Sequence, residues 1–219
     1  MEKNVNLEGS KRDTNTKQKI LEVAINLFAE RDFNSVSIRE IAKVVGIKGS
    51  SIYNHFNSKE DILDAILEYH RSASDTVFDG YFEAPKISYE ATHMSLEIIL
   101  LSSMLTSMKF MEMPNMDKIF KILSKEQLNN DKIRSFFLQE YIIKPREELE
   151  KVFGELTKRD MVKDIDPKQL AAEFHAYVIY RFYENYMLGR DKELDFEAMK
   201  DDFGKHIKFF SDAIEKEIK

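Results

Sequence analysis

The sequence predicts an all-α fold, and three observations support that prediction. Turn-forming residues are scarce, because the 219 residues include only 7 Gly and 4 Pro. Apolar residues recur at spacings of three and four, which is the period of an amphipathic helix. No stretch alternates between apolar and polar residues as a half-buried strand does. With 43% hydrophobic and 33% charged residues, the composition is typical of a soluble globular protein.

The helical pattern divides the chain into three predicted parts. Residues 1–14 show no periodicity and are expected to form a flexible tail. Residues 15–59 form a small module of short helices, and residues 60–219 form a larger helical domain. The first 59 residues carry ten Lys or Arg against seven Asp or Glu, whereas the remainder carries 23 against 32. Because residues 1–59 are mildly basic and residues 60–219 are acidic, only the N-terminal part is expected to bind a polyanion.

Capping residues set the limits of the first two helices. Thr16 is the predicted N-cap of the first helix, which should end by residues 31–34. The second helix begins after Ser37, and Glu40 three residues later completes a capping box. Gly46 ends it, as expected where a helix stops in the left-handed region. This spacing predicts a second helix of about two turns.

Two further helices complete the module and lead out of it. The third must begin near Lys48, because Ile52 and Phe56 continue the apolar spacing. Ser58 is the predicted cap of a longer fourth helix, which links the module to the rest of the chain. The first 59 residues therefore contain three helices in close succession.

The remainder of the sequence predicts long helices. Pro145 should kink or split one of them, and Asp166-Pro167 is an N-cap followed by proline at the first helical position. The helix after Pro167 should continue to about Leu188 and stop at Gly189. The predicted ranges are 88–111, 115–128, 131–158, 167–188 and 196–217.

The spacing of three residues in the module is typical of a helix-turn-helix. Two helices that cross closely need a small residue at the crossing, and Ala42 supplies it. The tight turn needs a residue that tolerates positive φ four positions later, and Gly46 supplies it. The second of the two helices must return an apolar residue to the core, and Ile52 does so. The spacing thus predicts that Ile52 points inward and its neighbours outward.

The outward face of the helix that contains Ile52 is polar and small. Such residues suit a phosphate-lined groove: hydroxyl and amide groups reach base edges, and a glycine lets the backbone approach the duplex. The face consists of Lys48, Gly49, Ser50, Ser51, Tyr53, Asn54 and His55. The helix N-termini at Ser37 and at Ser58-Lys59 add backbone donors with a favourable dipole.

Residues 20–63 resemble the N-terminal DNA-binding domain of the TetR family of repressors. The resemblance is carried by "ILEVAINLF" and "SVSIREIAKVVGIKGSSIYNHFNSKEDIL", and most of all by Gly-x-x-x-x-x-Tyr-x-His-Phe-x-x-Lys-Glu. The family usually has glycine where this chain has Asp32, a departure that affects only a turn. Beyond about residue 70 the resemblance is architectural.

The resemblance implies which residues contact double-stranded DNA. Ser37 and Asn54 are expected at the interface, with base readout from Lys48, Gly49, Ser50 and Ser51. Phosphate contacts are expected from Tyr53, His55 and Lys59. The alternatives are packing of Tyr53 on the first helix, a structural role for His55 and a solvated Lys59.

The larger domain is expected to bind a small apolar ligand. Six of the ten methionines lie between residues 94 and 116, and methionine adapts to irregular apolar surfaces. Ordinary core packing is the alternative. The expected pocket residues are Met104, Met108, Met111, Phe120, Phe137, Tyr141, Phe174 and Tyr177.

The last two helices are expected to form a homodimer interface. Residues 174–187 carry aromatic side chains around the whole helix, so it should be buried on most sides. Packing on the same chain and on a second copy achieves that burial, with a monomer core as the alternative. The expected interface residues are Tyr180, Tyr183, Met187, Phe203, Ile207, Phe210 and Ile214.

Several protein classes are excluded or disfavoured. Cysteine is absent, which excludes disulfides and thiolate chemistry. His93 and Glu97 provide only two ligands, so no metal site is expected, and no cofactor motif or catalytic motif is found. The longest uncharged run has eleven residues (98–108), too short to span a bilayer, and the N-terminus is unlike a secretory signal.

The sequence therefore predicts a cytoplasmic regulator that is not an enzyme. It is expected to bind a palindromic operator as a dimer, and a small apolar effector is expected to release it. The alternative is a DNA-binding protein of the same fold that recruits a protein partner and has no small-molecule inducer.

Overall fold

The computed structural model of the chain describes residues 7–78, 95–188 and 195–216, with side chains from residue 15 onward except those of residues 78, 186 and 187. Within these ranges every regular element is a helix, which confirms the predicted all-α class. The α-helices are α1 (Leu7–Glu30), α2 (Ile38–Val45), α3 (Gly49–Ile52), α4 (Lys59–Phe78), α5 (Leu96–Met111), α6 (Met116–Glu126), α7 (Asp131–Phe137), α8 (Lys144–Lys158), α9 (Pro167–Tyr183) and α10 (Phe196–Ile214). A 3₁₀ turn covers Phe33–Ser35, and π-helical segments cover Leu138–Ile143 and Glu184–Leu188.

The chain forms two compact units. The first contains residues 1–72 and 114–126, and the second contains residues 73–113 and 127–219. The first unit is larger than the predicted module 15–59, because it also takes in most of α4 and all of α6. The division therefore falls within α4 rather than before it.

The first helix is longer than the sequence predicts. It begins at Leu7 rather than at Thr16, so residues 7–14 are helical instead of belonging to a tail, and residues 1–6 lie outside the described part. Residues 8–19 contain no apolar residue, so periodicity gives no signal there. Beyond that stretch, the buried residues Ile20, Ala24 and Phe28 form the predicted core stripe.

The predicted caps of α2 and α4 are confirmed. The Ser37 Oγ accepts a hydrogen bond from the Glu40 N–H at 3.3 Å, and the Ser58 Oγ accepts one from the Asp61 N–H at 3.0 Å. Asp61 in turn accepts from the backbone N–H of Asn57 at 3.0 Å. These bonds satisfy backbone donors that a helix leaves unpaired at its start.

Helix α6 belongs to the first unit and packs on α1. Three polar contacts join α6 to the segment around the end of α1. The Lys125 Nζ donates to the carbonyl oxygen of Ala29 at 2.7 Å, and the buried Glu126 carboxylate accepts from the Phe33 N–H at 2.7 Å. The Lys118 Nζ donates to the Asn26 Oδ1 at 2.7 Å. Apolar packing and these contacts together fix α6 to the unit that contains α2 and α3.

In the second unit, α8 packs along α9, and α5 packs on α10. The predicted interruption near Pro145 is confirmed: α7 gives way to the π-helical segment 138–143, and Pro145 then occupies the first turn of α8. Pro145 has no N–H, and it directly follows a π-helical turn in which the Lys144 N–H donates to the Gln139 carbonyl oxygen, so the regular hydrogen-bond pattern is already interrupted there. The cap at Asp166 is also confirmed, since its carboxylate accepts from the Lys168 N–H at 3.0 Å.

An ion pair and an aromatic stack join α9 and α10. Arg181 of α9 pairs with Asp202 of α10. The His206 ring of α10 stacks on Tyr177 at 4.2 Å between centroids and on Phe174 at 5.3 Å. The predicted end of α9 continues as the π-helical segment 184–188, and Gly189 lies outside the described residues.

The helices of the described ranges include none with an apolar stretch of membrane-spanning length.

Helix α5 begins at residue 96. Residues 88–94 of the helix predicted over 88–111, including His93, lie outside the described part of the chain.

Candidate nucleic-acid interface

The turn between α2 and α3 has the geometry that the glycine spacing predicts. Gly46 has φ of +83°, in the left-handed region that favours glycine. Its N–H and that of Ile47 both donate to the Ala42 carbonyl oxygen at 3.0 Å. Ala42 is 1% exposed, as a small residue at a close crossing should be. The turn therefore directs the chain from α2 into α3 within three residues.

Helix α3 has one buried side and one outward side. Ile52 is fully buried, and Phe56 is 5% exposed just beyond the helix. Ser50 and Asn54 are exposed, and the Tyr53 side chain is 56% exposed. The inward residues are apolar, whereas the outward ones carry hydroxyl, phenol and amide groups. α3 and the two residues after it therefore present a short polar ridge, formed by Ser50, Tyr53 and Asn54.

The predicted contact residues fall into two classes of exposure. The exposed ones are Ser37, Lys48, Ser50, Tyr53 and Asn54. The half-buried ones are Gly49, Ser51, His55 and Lys59. All but Ser37 and Lys59 lie within residues 48–55, so the structure brings most of them together on and beside α3.

Lys59 is bound within its own unit. Its Nζ donates to the carbonyl oxygens of Phe33 at 2.7 Å and Val36 at 3.0 Å, and it lies 4.2 Å from the centroid of the Phe33 ring. The ammonium thus satisfies two carbonyls around the 3₁₀ turn and makes a cation–π contact. A phosphate contact from Lys59 would use its one remaining N–H.

Arg39 is a candidate contact residue in addition to those predicted from the sequence. It is exposed on α2, and a Cβ added at Gly49 would lie 3.8 Å from the Arg39 Cγ. Among the described residues no carboxylate forms an ion pair with Arg39, Lys43 or Lys48. The signal was available in the sequence as a basic residue two positions after the Ser37 cap. Of these cations, Lys48 immediately precedes α3 and Arg39 lies beside Gly49 of α3.

The turn after α1 is compatible with aspartate. Asp32 has φ of −66° and ψ of 143°, an extended conformation that needs no glycine. The departure from the family pattern at this position therefore causes no backbone strain.

An ion pair on the surface fixes α2 relative to α1. The Arg31 guanidinium lies 2.7 Å from the Glu40 carboxylate. The hydrogen bond from Arg31 holds the pKa of Glu40 below its usual value, and the same bond raises the pKa of Arg31. Both side chains are partly exposed, so the pair contributes mainly orientation.

The predicted ligand-pocket residues are distributed over both compact units. Phe120 is 2% exposed in the first unit, whereas the other seven belong to the second unit. Met104, Met108 and Met111 are buried on α5. Phe174 and Tyr177 pack on His206, and Phe137 stacks on Tyr141 with 5.1 Å between centroids. The apolar stripe of α6 fills a different core because α6 packs on α1.

The predicted dimer-interface residues are divided between surface and core. Tyr180 and Tyr183 of α9 are 52% and 50% exposed. The predicted residues of α10 are core residues within the chain: Phe203, Ile207, Phe210 and Ile214. These four residues form one apolar stripe that faces the chain's own core. Phe209 of α10 lies off that stripe and is exposed. The side chain of Met187 lies outside the described residues.

A known family model matches part of the first unit. Residues 20–66 match the model of bacterial regulatory proteins of the TetR family. The HTH-type transcriptional repressor KstR2 of Rhodococcus jostii is 42% identical over 64 residues, which cover 29% of this chain and 30% of that protein. The matched region thus spans less than a third of this curated relative.

Solved structures share the fold over most of the chain. A TetR-family transcriptional regulator from Pseudomonas syringae pv. tomato aligns with a TM-score of 0.64 at 18% identity, covering 91% of this chain and 97% of that one. AibR in complex with isovaleryl coenzyme A and operator DNA aligns with a TM-score of 0.61 at 18% identity, covering 86% and 96%. At such identities the likeness shows the fold alone. The chain therefore carries the N-terminal domain of the TetR family of bacterial regulatory proteins, followed by a helical body with the fold of that family's solved members.

Proposed function

We propose that this chain is a cytoplasmic transcriptional regulator that represses by binding a palindromic DNA operator as a homodimer, and that a small apolar effector releases it. The observation that carries the DNA-binding part is the outward polar ridge of α3, which stands on a fully buried Ile52 after the Gly46 turn. KstR2, which shares 42% identity in this region, is described as a transcriptional repressor.

The chemistry of the ridge suits a major groove. Ser50 and Asn54 offer hydroxyl and amide groups that hydrogen-bond to base edges. Lys48 and Arg39 offer cations that bind phosphates or guanine edges, and the Tyr53 hydroxyl donates to phosphate. The chain has a formal net charge of −6, so its whole-molecule field does not favour DNA. Binding therefore depends on this local basic and polar surface.

A homodimer provides a second copy of α3, which contacts the other half of a palindromic operator. One helix of four residues reads few base pairs, whereas two copies separated by about 34 Å read successive major grooves of a palindrome. Exposed aromatic side chains on α9 and α10, namely Tyr180, Tyr183 and Phe209, support an interface there. Isolated exposed aromatics are common, but three on two adjacent helices favour contact with a second copy.

Release by an effector requires that the two units are coupled. Helix α4 contributes residues to both units, so a change in the second unit that displaces α4 would alter the spacing of the two α3 helices in a dimer. AibR has been solved with both isovaleryl coenzyme A and operator DNA, which supports a ligand-responsive scheme for this fold. The effector shifts the population between two states by binding one of them better.

Selection of bound duplexes from a random pool, followed by titration of the selected site, tests the proposal. Ser50→Ala should change the preferred sequence, whereas Tyr53→Phe should weaken all sequences about equally. Lys151→Met, which removes an exposed charge on α8 outside the proposed DNA and dimer contacts, is the control and should change neither. Absence of binding to any duplex at low salt would contradict DNA binding. Unchanged operator affinity across a broad ligand screen would contradict release by an effector.

A further inference from the structure

Two polar residues lie on the apolar faces that join α8 and α9. On α8, Arg146 begins a stripe that continues with the buried residues Leu149, Phe153 and Leu156. On α9, His175 lies in the middle of a stripe of buried residues, which are Ala171, Val178 and Phe182. The spacings of three and four put both residues at positions that face the partner helix.

Both residues have buried nitrogen atoms without a hydrogen-bond partner. The Arg146 Nε and the His175 Nδ1 are buried and bond to nothing. His175 is 6% exposed as a whole residue. Burying a polar group without a partner is costly, so native proteins rarely leave such atoms unless they serve a purpose.

The charge of Arg146 is uncompensated in the part of the chain that the structure describes. No ion pair there includes Arg146, which is half-buried as a whole residue, and the Glu140 carboxylate of the segment 138–143 lies 3.6 Å from the Lys144 ammonium. Burial and the positive charge of Arg146 together lower the pKa of His175 to about 4, so its imidazole is neutral at pH 7. The packed surface between α8 and α9, called the seam below, thus contains the Arg146 guanidinium and the neutral His175 imidazole.

A third atom of the same kind lies just beyond the end of α9. The Asn185 Nδ2 is buried without a partner, and Asn185 continues the stripe of Val178 and Phe182 into the π-helical segment 184–188. Guanidinium and amide nitrogens only donate, and a neutral imidazole nitrogen can donate. These three nitrogen atoms therefore call for an acceptor rather than for a cation.

We infer that the seam between α8 and α9 binds a carboxylate with an apolar tail, and that Arg146 and His175 hold its carboxylate group. This inference rests on the proposed function, because it gives the chemical class of the effector. One guanidinium matches the single charge and bidentate geometry of a carboxylate better than the higher charge of a phosphate. The surrounding leucine, valine and phenylalanine side chains suit a hydrocarbon tail.

The location has a structural feature that allows an opening. A π-helical segment, 138–143, immediately precedes α8, and a second follows α9. Such segments interrupt regular helical hydrogen bonding and occur often at functional sites. Apart from the Glu140 side chain, which is 8% exposed, the residues of the segment 138–143 are half-buried or exposed.

Matched pairs of ligands test the chemical class. Straight-chain carboxylates from butanoate to dodecanoate and the primary alcohols of the same lengths are titrated into the full chain by calorimetry. At least one carboxylate should bind, and its alcohol should bind about tenfold more weakly or worse, since the alcohol lacks the charge-assisted bond. Failure of every carboxylate to bind, or equal binding of acid and alcohol, would overturn the inference.

Substitutions test the residues. Arg146→Met should lose about tenfold in affinity for the carboxylate while affinity for the alcohol is unchanged. Lys158→Met, an exposed charge on the same helix, is the control and should retain both affinities. His175→Asn should weaken carboxylate binding as well. Retention of full carboxylate affinity by Arg146→Met would overturn the assignment.

Stability without ligand separates a binding role from a structural one. If Arg146 is kept for a ligand, Arg146→Met should leave the melting temperature of the free protein unchanged or higher, because it removes an unpaired buried nitrogen. A melting temperature several degrees lower would indicate a structural residue and would overturn the inference. The variant should still bind the selected operator. If even the wild-type chain binds no duplex, the proposed function fails separately, whatever the carboxylates do.

Discussion

At the scale of single residues, Gly46 shows how backbone conformation alone determines a choice of amino acid. A Cβ added there would meet nothing within 4 Å, so the reason for glycine is its φ of +83° and not lack of space. Gly46→Ala should therefore lower the free energy of unfolding by about 1 to 2 kcal/mol, the cost of the left-handed conformation for an L-residue. Urea denaturation followed by circular dichroism measures it.

Gly49→Ala is the matched control for that prediction. Gly49 lies three residues later in the same motif, its φ is outside the left-handed region, and an added Cβ would make only an ordinary contact with Arg39 at 3.8 Å. The stability of Gly49→Ala should be equal to that of the wild type or slightly higher. Equal losses from the two substitutions would contradict the explanation from φ.

His175 should make stability depend on pH. Its folded pKa of about 4 lies below the ordinary value of 6.5, so the unfolded chain takes up the proton first as pH falls. The free energy of unfolding should therefore decrease between pH 6.5 and pH 4, by about 3 kcal/mol from this residue, and its contribution should be constant above that window.

Urea denaturation at a series of pH values checks the prediction for His175. His175→Asn should lose the part of the slope that comes from this histidine. His206, whose pKa burial also lowers, remains as background in both proteins. An unchanged slope in the variant would show that the imidazole is not buried as described.

At the scale of helices, contacts that are distant in sequence determine what a cation does. Lys59 begins α4, but its acceptors are the carbonyls of Phe33 and Val36 around the 3₁₀ turn. Lys59→Met should lower the free energy of unfolding by about 1 to 3 kcal/mol, because two carbonyls lose a charged donor. Lys48→Met should leave stability unchanged and reduce the slope of log affinity against log salt by about 0.9 if Lys48 binds one phosphate.

Thermal unfolding and duplex titration at several salt concentrations separate these two lysines. A stable Lys59→Met variant with a reduced salt slope would instead support the phosphate contact predicted for Lys59 from the sequence.

The attachment of α6 to the first unit gives a second prediction at this scale. Glu126 is buried, and its carboxylate accepts from the Phe33 N–H. Glu126→Leu should destabilise the protein by about 1 to 3 kcal/mol, because it leaves that N–H buried without an acceptor. Glu126→Gln retains a side-chain oxygen and should retain most of the stability. Equal stability of the wild type and the leucine variant in chemical denaturation would contradict this role for Glu126.

The same elements show which parts of the structure sequence patterns can predict. Helix ends at Ser37, Gly46, Ser58 and Asp166 were predictable because a cap acts on the backbone within a few residues. The start of α1 at Leu7 was missed because its first turns carry no apolar stripe. The role of Lys59 was missed because its partners lie more than 20 residues away.

At the scale of the whole molecule, periodicity identifies buried stripes but not what buries them. The α10 stripe that includes Ile207 was assigned to a dimer interface, and it lies in the chain's own core. The ridge of α3 was predicted well because its outward position follows from one turn and one buried residue. An interface between copies depends instead on residues that lie off the core stripe, and these show no period of their own.

Phe209 is the residue that best tests the dimer. It is 74% exposed on α10, two turns after Asp202, which pairs with Arg181 of α9. If α9 and α10 meet a second copy, Phe209→Asp would bury a carboxylate in an apolar interface and should convert the dimer to monomer. Light scattering during size-exclusion chromatography measures the mass. Operator affinity should fall with it, because a monomer contacts only one half-site.

Leu128→Asp provides a control of equal exposure for Phe209. Leu128 is 73% exposed but lies between α6 and α7, away from α9 and α10 in the sequence. A general effect of added surface charge would act in both variants, whereas loss of a specific interface would act only in Phe209→Asp. Two dimeric variants with unchanged operator affinity would place the interface elsewhere. A monomeric wild-type chain would contradict dimeric binding to a palindromic operator, since one four-residue helix contacts only one half-site.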